Sequence, residues 1–228
     1  MAQVERRSTA QVFGPEANTF VILSLIGSAV GFLVLVAAWM WFTRSDYVRD
    51  VGERVQQPVP YSHQLHVGGL KLQCQYCHNG VGESAYANVP ATETCMSCHS
   101  QVGTSAPSLQ PVRDSWITGI PIQWNQVHKL PDFVYFNHAI HVNKGVGCST
   151  CHGNVAGMSV VYKVQPMFMA WCINCHRNPE QFVRPADQIY NTTYQPPPPA
   201  EQAVLGAQLV KQYGIKKDHL TNCYVCHR

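Results

Sequence analysis

The sequence predicts a mostly α-helical and irregular protein, with a single N-terminal transmembrane helix followed by a cysteine- and histidine-rich domain that holds little sheet. Three observations predict it. Phe20–Phe42 is an uncharged apolar stretch of 23 residues, and a spanning helix takes roughly 20. All ten cysteines fall in five copies of one short pattern, Cys-x-x-Cys-His, with none left over. Strand-type alternation is scarce along the 228 residues, whereas short helix-like spacings recur. The charge balance is mild: a net charge of +3 with 13% charged residues and no basic patch interleaved with aromatics. That balance does not argue for nucleic acid.

The elements follow in chain order. Residues 1–19 are short and polar and are expected on the cytoplasmic side. Residues 20–42 are the anchor, with Trp39, Trp41 and Phe42 clustered at the end where aromatics sit among headgroups. A cleaved signal peptide fits less well, because the run exceeds a typical apolar region and no clear small-residue cleavage site follows. Gly27 and Gly31, with Ser24 and Ser28 on a neighbouring face, form the small-residue stripe that lets another spanning helix approach. Arg6 and Arg7 precede the helix while Arg44, Arg49 and Arg54 follow it, so the positive-inside rule does not orient it. Residues 43–60 are a polar connector, and residues 61–228 are the cysteine-rich domain.

That domain contains an internal repeat. Unit one, residues 61–99, reads YSHQLHVGGLKLQCQYCH and later TETCMSCH. Unit two, within residues 128–176, reads FNHAIHVNKGVGCSTCH and later MAWCINCH. Each is an aromatic, then His-x-x-His, then two Cys-x-x-Cys-His copies. Residues 100–130, with Pro107, Pro111, Gly119 and Pro121, are expected to be ordered loop. Residues 196–199 are four prolines, a stiff polyproline II spacer. In the C-terminal segment, 200–228, Val204, Leu205, Leu209 and Val210 are at helical spacing between Pro199 and Gly214, and the fifth copy closes the chain.

Cys-x-x-Cys-His is the attachment pattern of c-type haem. The two thiols add to the two vinyl groups, and the adjacent histidine then lies under the iron. The candidate attachment residues are therefore Cys74 and Cys77, Cys95 and Cys98, Cys148 and Cys151, Cys172 and Cys175, and Cys223 and Cys226, with His78, His99, His152, His176 and His227 as proximal ligands. Zinc sites and redox disulfides also use cysteine pairs, but neither requires a histidine after every pair. Five covalent haems are expected. Such haem is attached on the outer, oxidising side of the bacterial membrane, so residues 44–228 are expected in the periplasm, with the chain a single-pass inner-membrane protein.

Of the 11 histidines, six are not proximal: His63, His66, His128, His138, His141 and His219. Five haems with two imidazoles each need five of them. His63, His66, His138 and His141 are the leading distal candidates, since positions three apart on a helix point in somewhat different directions and can serve two irons. His128 comes next. His219, four residues before Cys223, stands behind it. Methionine is the competing ligand, with Met169 or Met158 the leading donors and Met96 and Met167 nearby. Methionine ligation raises the potential, although methionine near haem is more often packing. Residues 44–228 number 185, or 37 for each of five haems, too few to bury them separately. Closely spaced six-coordinate haems describe an electron relay with no catalytic residue of its own.

The motifs carry a resemblance. His-x-x-His followed by haem sites is similar to class III multihaem cytochromes. The anchor, YSHQLHVGGLKLQCQYCHNGV, VPATETCMSCHSQV, VHKLPDFVYFNHAIHVNKGVGCSTCHGNV, MAWCINCHRNP and LTNCYVCHR together resemble the pentahaem subunit of alternative complex III, the membrane quinol:cytochrome c oxidoreductase. The resemblance implies partners: an integral-membrane quinol-oxidising subunit, a large iron–sulfur subunit, and a monohaem cytochrome c, high-potential iron–sulfur protein or oxidase as acceptor. Two rivals stand beside it. One is a self-sufficient single-anchor quinol dehydrogenase feeding a periplasmic reductase. The other is a multihaem reductase, which would need one iron with an open face.

Overall fold

The computed structural model describes residues 13–227; the expectation of a cytoplasmic segment over 1–19 lies, for residues 1–12, outside the described residues. The chain divides after Val48 into two units. The first is dominated by one helix, α1 (Pro15–Phe42, 28 residues), which begins five residues before the predicted Phe20. Proline at the first helical position has its φ already set, and Glu16 in the first turn suits the positive end of the dipole. The helix is about 42 Å long, against a hydrocarbon core of roughly 30 Å. Its apolar side chains are exposed. Three side chains finish its last turn: Thr43 Oγ1 and Arg44 Nη1 donate to the Met40 carbonyl at 3.3 and 3.0 Å, and Ser45 Oγ to that of Phe42 at 2.7 Å. These satisfy carbonyls that a helix end leaves open.

The second unit is helical and irregular, as the sequence predicts. Its helices are short: α2 (Cys74–Cys77), α3 (Thr92–His99), α4 (Gln110–Thr118), α5 (His138–Asn143), α6 (Cys148–His152), α7 (Met169–Arg177), α8 (Pro199–Gln212) and α9 (Cys223–Cys226). Among the described residues the only strand-type pairings are isolated bridges, Val51 with Lys163, Arg54 with Tyr162, and Val146 with Val183. The buried apolar residues are mainly small, such as Val59, Val112 and Val183, with one cluster of Val81, Val142 and Ile189.

Three segments differ from expectation. Residues 100–130 are not all loop, since α4 forms within them. Pro111 sits in its first turn and Gly119 closes it at φ 71°, two boundary signals that only a continuous apolar stripe would have made convincing. That stripe is missing because α4 buries just Val112 and Ser115, and Thr92 Oγ1 and Ser115 Oγ lie 2.6 Å apart between α3 and α4. The fourth proline of 196–199 opens α8, leaving three before it. Part of the expected connector is folded onto the domain. Gly52 N donates to the Lys163 carbonyl at 2.8 Å, and Gln57 and Asn125 are bonded at 2.8 and 2.9 Å.

Candidate functional site

Each Cys-x-x-Cys-His lies on one helical turn or its edge, which places the two thiols three residues apart on one side. No two of the ten cysteines are joined in a disulfide. Burial pushes Cys148 up to about 11, Cys151 to about 12 and Cys175 to about 11, with neighbouring thiols adding to it: Cys74 beside Cys148, Cys175 and Cys172 beside Cys151, and Cys172 beside Cys175. We number the five sites in chain order, from Cys74 as site one to Cys223 as site five.

Four histidine pairs face one another across a gap. His63 and His78 have ring centroids 6.4 Å apart and 4° from parallel. His66 and His99 lie at 6.2 Å and 64°. His138 and His152 lie at 6.4 Å and 12°, and His141 and His176 at 6.0 Å and 29°. Rings in contact would be closer. A metal held between two imidazoles, with bonds of about 2 Å to each, puts the centroids roughly 6.3 Å apart. The repeat is reproduced in space. Tyr61 packs edge-on to His63 at 4.8 Å and stacks on His66 at 4.4 Å. Phe136 does the same to His138 at 4.7 Å and His141 at 4.4 Å. Within each His-x-x-His, the two rings thus face different Cys-x-x-Cys-His sites.

The other ring nitrogen of these histidines is mostly held by a carbonyl. His78 Nδ1 donates to Asn88 O at 2.6 Å, His99 to Val102 O at 2.9 Å, His176 to Leu220 O at 2.8 Å and His227 to Phe133 O at 3.0 Å. His66, His138 and His141 donate to Ser62 O at 2.8 Å, Ala85 O at 2.9 Å and Asn137 O at 2.7 Å. This fixes the tautomer and leaves Nε2 as the free donor to a metal. His63 Nδ1 is buried without a partner.

The remaining candidates are placed differently. His128 does not share the facing geometry: its ring sits 4.3 Å from that of His152 at 70°, with Nε2 3.3 Å from His152 Nδ1. His219 is exposed in a short turn, Lys217–His219. Met158 is 7% exposed and packs beside Gly153. Met169, the first residue of α7, is 68% exposed. Among the described residues no histidine ring pairs with His227, which has the Phe133 ring at 5.8 Å.

The chain's own contacts set the sites in a row that departs from their sequence order. Tyr61 joins sites one and two, and Tyr76 Oη lies 2.8 Å from Ser97 Oγ across them. Site one meets site three, because Ala85 O accepts from both N and Nδ1 of His138. Phe136 and α5 join sites three and four. Leu220 O, just before site five, holds His176 of site four, and Tyr135 N donates to Cys226 O at 2.8 Å. The order is two, one, three, four, five.

Residues 134–228 match the family described as cytochrome c7 and related cytochrome c. That C-terminal stretch is thus similar to multihaem cytochromes c. The chain is also 29% identical, over 171 residues, to the "Menaquinone reductase, multiheme cytochrome c subunit" of Nitratidesulfovibrio vulgaris (strain Hildenborough), an alignment covering 65% of this chain and 79% of that protein.

The residues of this cytochrome-like domain fit covalent haem on two further counts. Sites one to four each pair their following histidine with a second one at the separation an iron would require. Two cations are also buried without a carboxylate partner: Lys163, 7% exposed, and Arg184, 6% exposed. Lys163 Nζ donates to Arg49 O at 2.6 Å, and Arg184 to Ser149 Oγ, Thr150 Oγ1 and Asn191 O at 2.9–3.3 Å. Among the described residues the one ion pair is the surface contact of Lys217 with Glu180. Buried cations call for anions, and haem propionates would supply them. Sequence reasoning missed both residues, since Arg184 and Lys163 belong to no motif and are marked only by their burial.

Proposed function

We propose that this chain is a membrane-anchored pentahaem cytochrome c that relays electrons within a quinol-linked respiratory complex of the alternative complex III type. The observation that carries the reading is the four facing histidine pairs at 6.0–6.4 Å. Bound haem supplies an iron that cycles between ferric and ferrous states. The chain would hold each haem through two thioethers, with His78, His99, His152, His176 and His227 as its first iron ligands and His63, His66, His138 and His141 as second ligands at four sites. A second ligand there leaves no position for a substrate, which favours relay over catalysis. Site five, without a facing histidine among the described residues, takes its sixth ligand from elsewhere. The row has sites two and five at its ends, where partners would meet it.

In this reading the chain is a single-pass inner-membrane protein with its haem domain on the periplasmic side, where c-type haem is attached, and the small-residue stripe at Gly27 and Gly31 suits a spanning partner helix. Electrons leave a quinol-oxidising, iron–sulfur module and pass to a cytochrome c, high-potential iron–sulfur protein or oxidase. The relative named above is a menaquinone reductase subunit, which favours the opposite direction as the second reading.

The test is extraction in mild detergent, affinity capture of this chain and mass spectrometry of what accompanies it. A many-helix membrane subunit and a large iron–sulfur subunit should co-purify, and quinol should reduce the haems only in their presence. Haems reduced by quinol in the isolated chain would replace the relay with a single-anchor quinol dehydrogenase. Haems that deliver electrons to menaquinone and take none from quinol would reverse the direction.

A further inference from the structure

Four of the five Cys-x-x-Cys-His histidines give Nδ1 to a backbone carbonyl, and His152 alone has its Nδ1 beside a side chain, 3.3 Å from Nε2 of His128. We propose that His128 is a positioning residue that accepts the Nδ1 proton of His152 and so sets the potential of site three apart from its neighbours. The proposal rests on the haem reading of site three.

His128 is held for this task. Its loop is tied down just upstream, where Asn125 N and Nδ2 donate to Gln57 Oε1 at 2.9 Å and to the Gln56 carbonyl at 2.6 Å. Gln57 Nε2 returns a bond to Asn125 O at 2.8 Å. Gln126 Nε2 reaches the carbonyl of His128 itself at 3.1 Å. The opposite side of His152 is taken by His138, nearly parallel at 6.4 Å. His128 therefore meets the back of the proximal ring, away from the side that faces the second ligand.

The chemistry differs from that of a carbonyl. An imidazole nitrogen is a stronger base than an amide oxygen, so it draws the Nδ1 proton further from His152. The ligating nitrogen then carries more negative charge. Such a ligand favours the ferric over the ferrous ion and lowers the potential, a lever that partners of ligating histidines generally exert. Site three is the middle of the five-site row. A lowered potential there separates the pair formed by sites two and one from the pair formed by sites four and five.

The test uses the full chain, purified in detergent with its haems, as wild type, His128→Phe and His128→Gln. Phenylalanine keeps a ring and removes the acceptor; glutamine offers an amide oxygen near the position of Nε2. The haem content of each is counted by absorbance of its pyridine adduct. Spectroelectrochemical titration and electron paramagnetic resonance then follow the individual haems. The expected result is unchanged haem content with every paired site still low-spin, one midpoint potential raised in His128→Phe, and that shift partly reversed in His128→Gln. Unchanged potentials in both variants would overturn the proposal. So would a new high-spin haem that binds carbon monoxide in either variant, since His128 would then be an iron ligand. Wild-type protein lacking haem at site three would instead sink the underlying haem reading.

Discussion

His138 and His141 stand three residues apart in α5, and that offset turns them towards different partners. His138 faces His152 of site three and His141 faces His176 of site four. Asn137 caps the helix, its Oδ1 accepting from Ile140 N at 3.1 Å while its backbone carbonyl holds His141 Nδ1. Losing one distal ring should therefore affect one iron. In His138→Ala, one haem per chain should become high-spin and bind carbon monoxide when reduced, while the site-four haem stays low-spin. Carbon monoxide difference spectra at known haem content check this. A silent substitution would remove His138 from the ligand set.

At the scale of elements, the helices are too short to stand by propensity alone, and specific contacts hold them. α8 lies on the turn at Pro179–Gln181. Gln202, buried in α8, donates to the carbonyls of Glu180 and Val183 at 2.9 and 3.1 Å. Gly206 makes that approach possible, because a Cβ there would strike the Glu180 backbone. Gly206→Val should destabilise the domain by about 1–3 kcal/mol, the usual cost of overpacking. Denaturant unfolding of the haem-loaded protein, followed in the haem absorbance, measures it. An unchanged midpoint would show that α8 shifts without loss.

At the scale of the whole molecule, the half-buried histidines make the domain sensitive to acid. Burial lowers His63 to about 4, with His78 and His66 adding to it, and His128 to about 4, with Lys163 and His138 adding to it. Above pH 6.5 these rings are neutral in both folded and unfolded chains and contribute no pH dependence. Between pH 6.5 and about 4 the unfolded chain takes up protons that the folded domain refuses, so stability falls as pH falls. Where such a ring also ligates iron, the metal competes with the same proton. Acid titration should show the low-spin spectrum lost below pH 6.5 and flat above it. A spectrum stable to pH 4 would contradict this placement of the rings.

Much was legible in the sequence, because it is written in local chemistry. Five Cys-x-x-Cys-His copies point to haem attachment, the two aromatic–His-x-x-His repeats to paired rings, and an uncharged run of 23 residues to a helix long and apolar enough to span a membrane. Each of these signals lies within a few turns of chain. The short helices around the sites carried no stripe of their own, so α4 was hidden until Ser115 met Thr92. Which distal ring faces which proximal one, the row of sites in the order two, one, three, four, five, and the place of His128 behind His152 were decided only in the tertiary structure. The physical reason is common to all three. Each depends on contacts between segments far apart in the chain, such as Ala85 with His138 or Leu220 with His176, and local spacing holds no record of them.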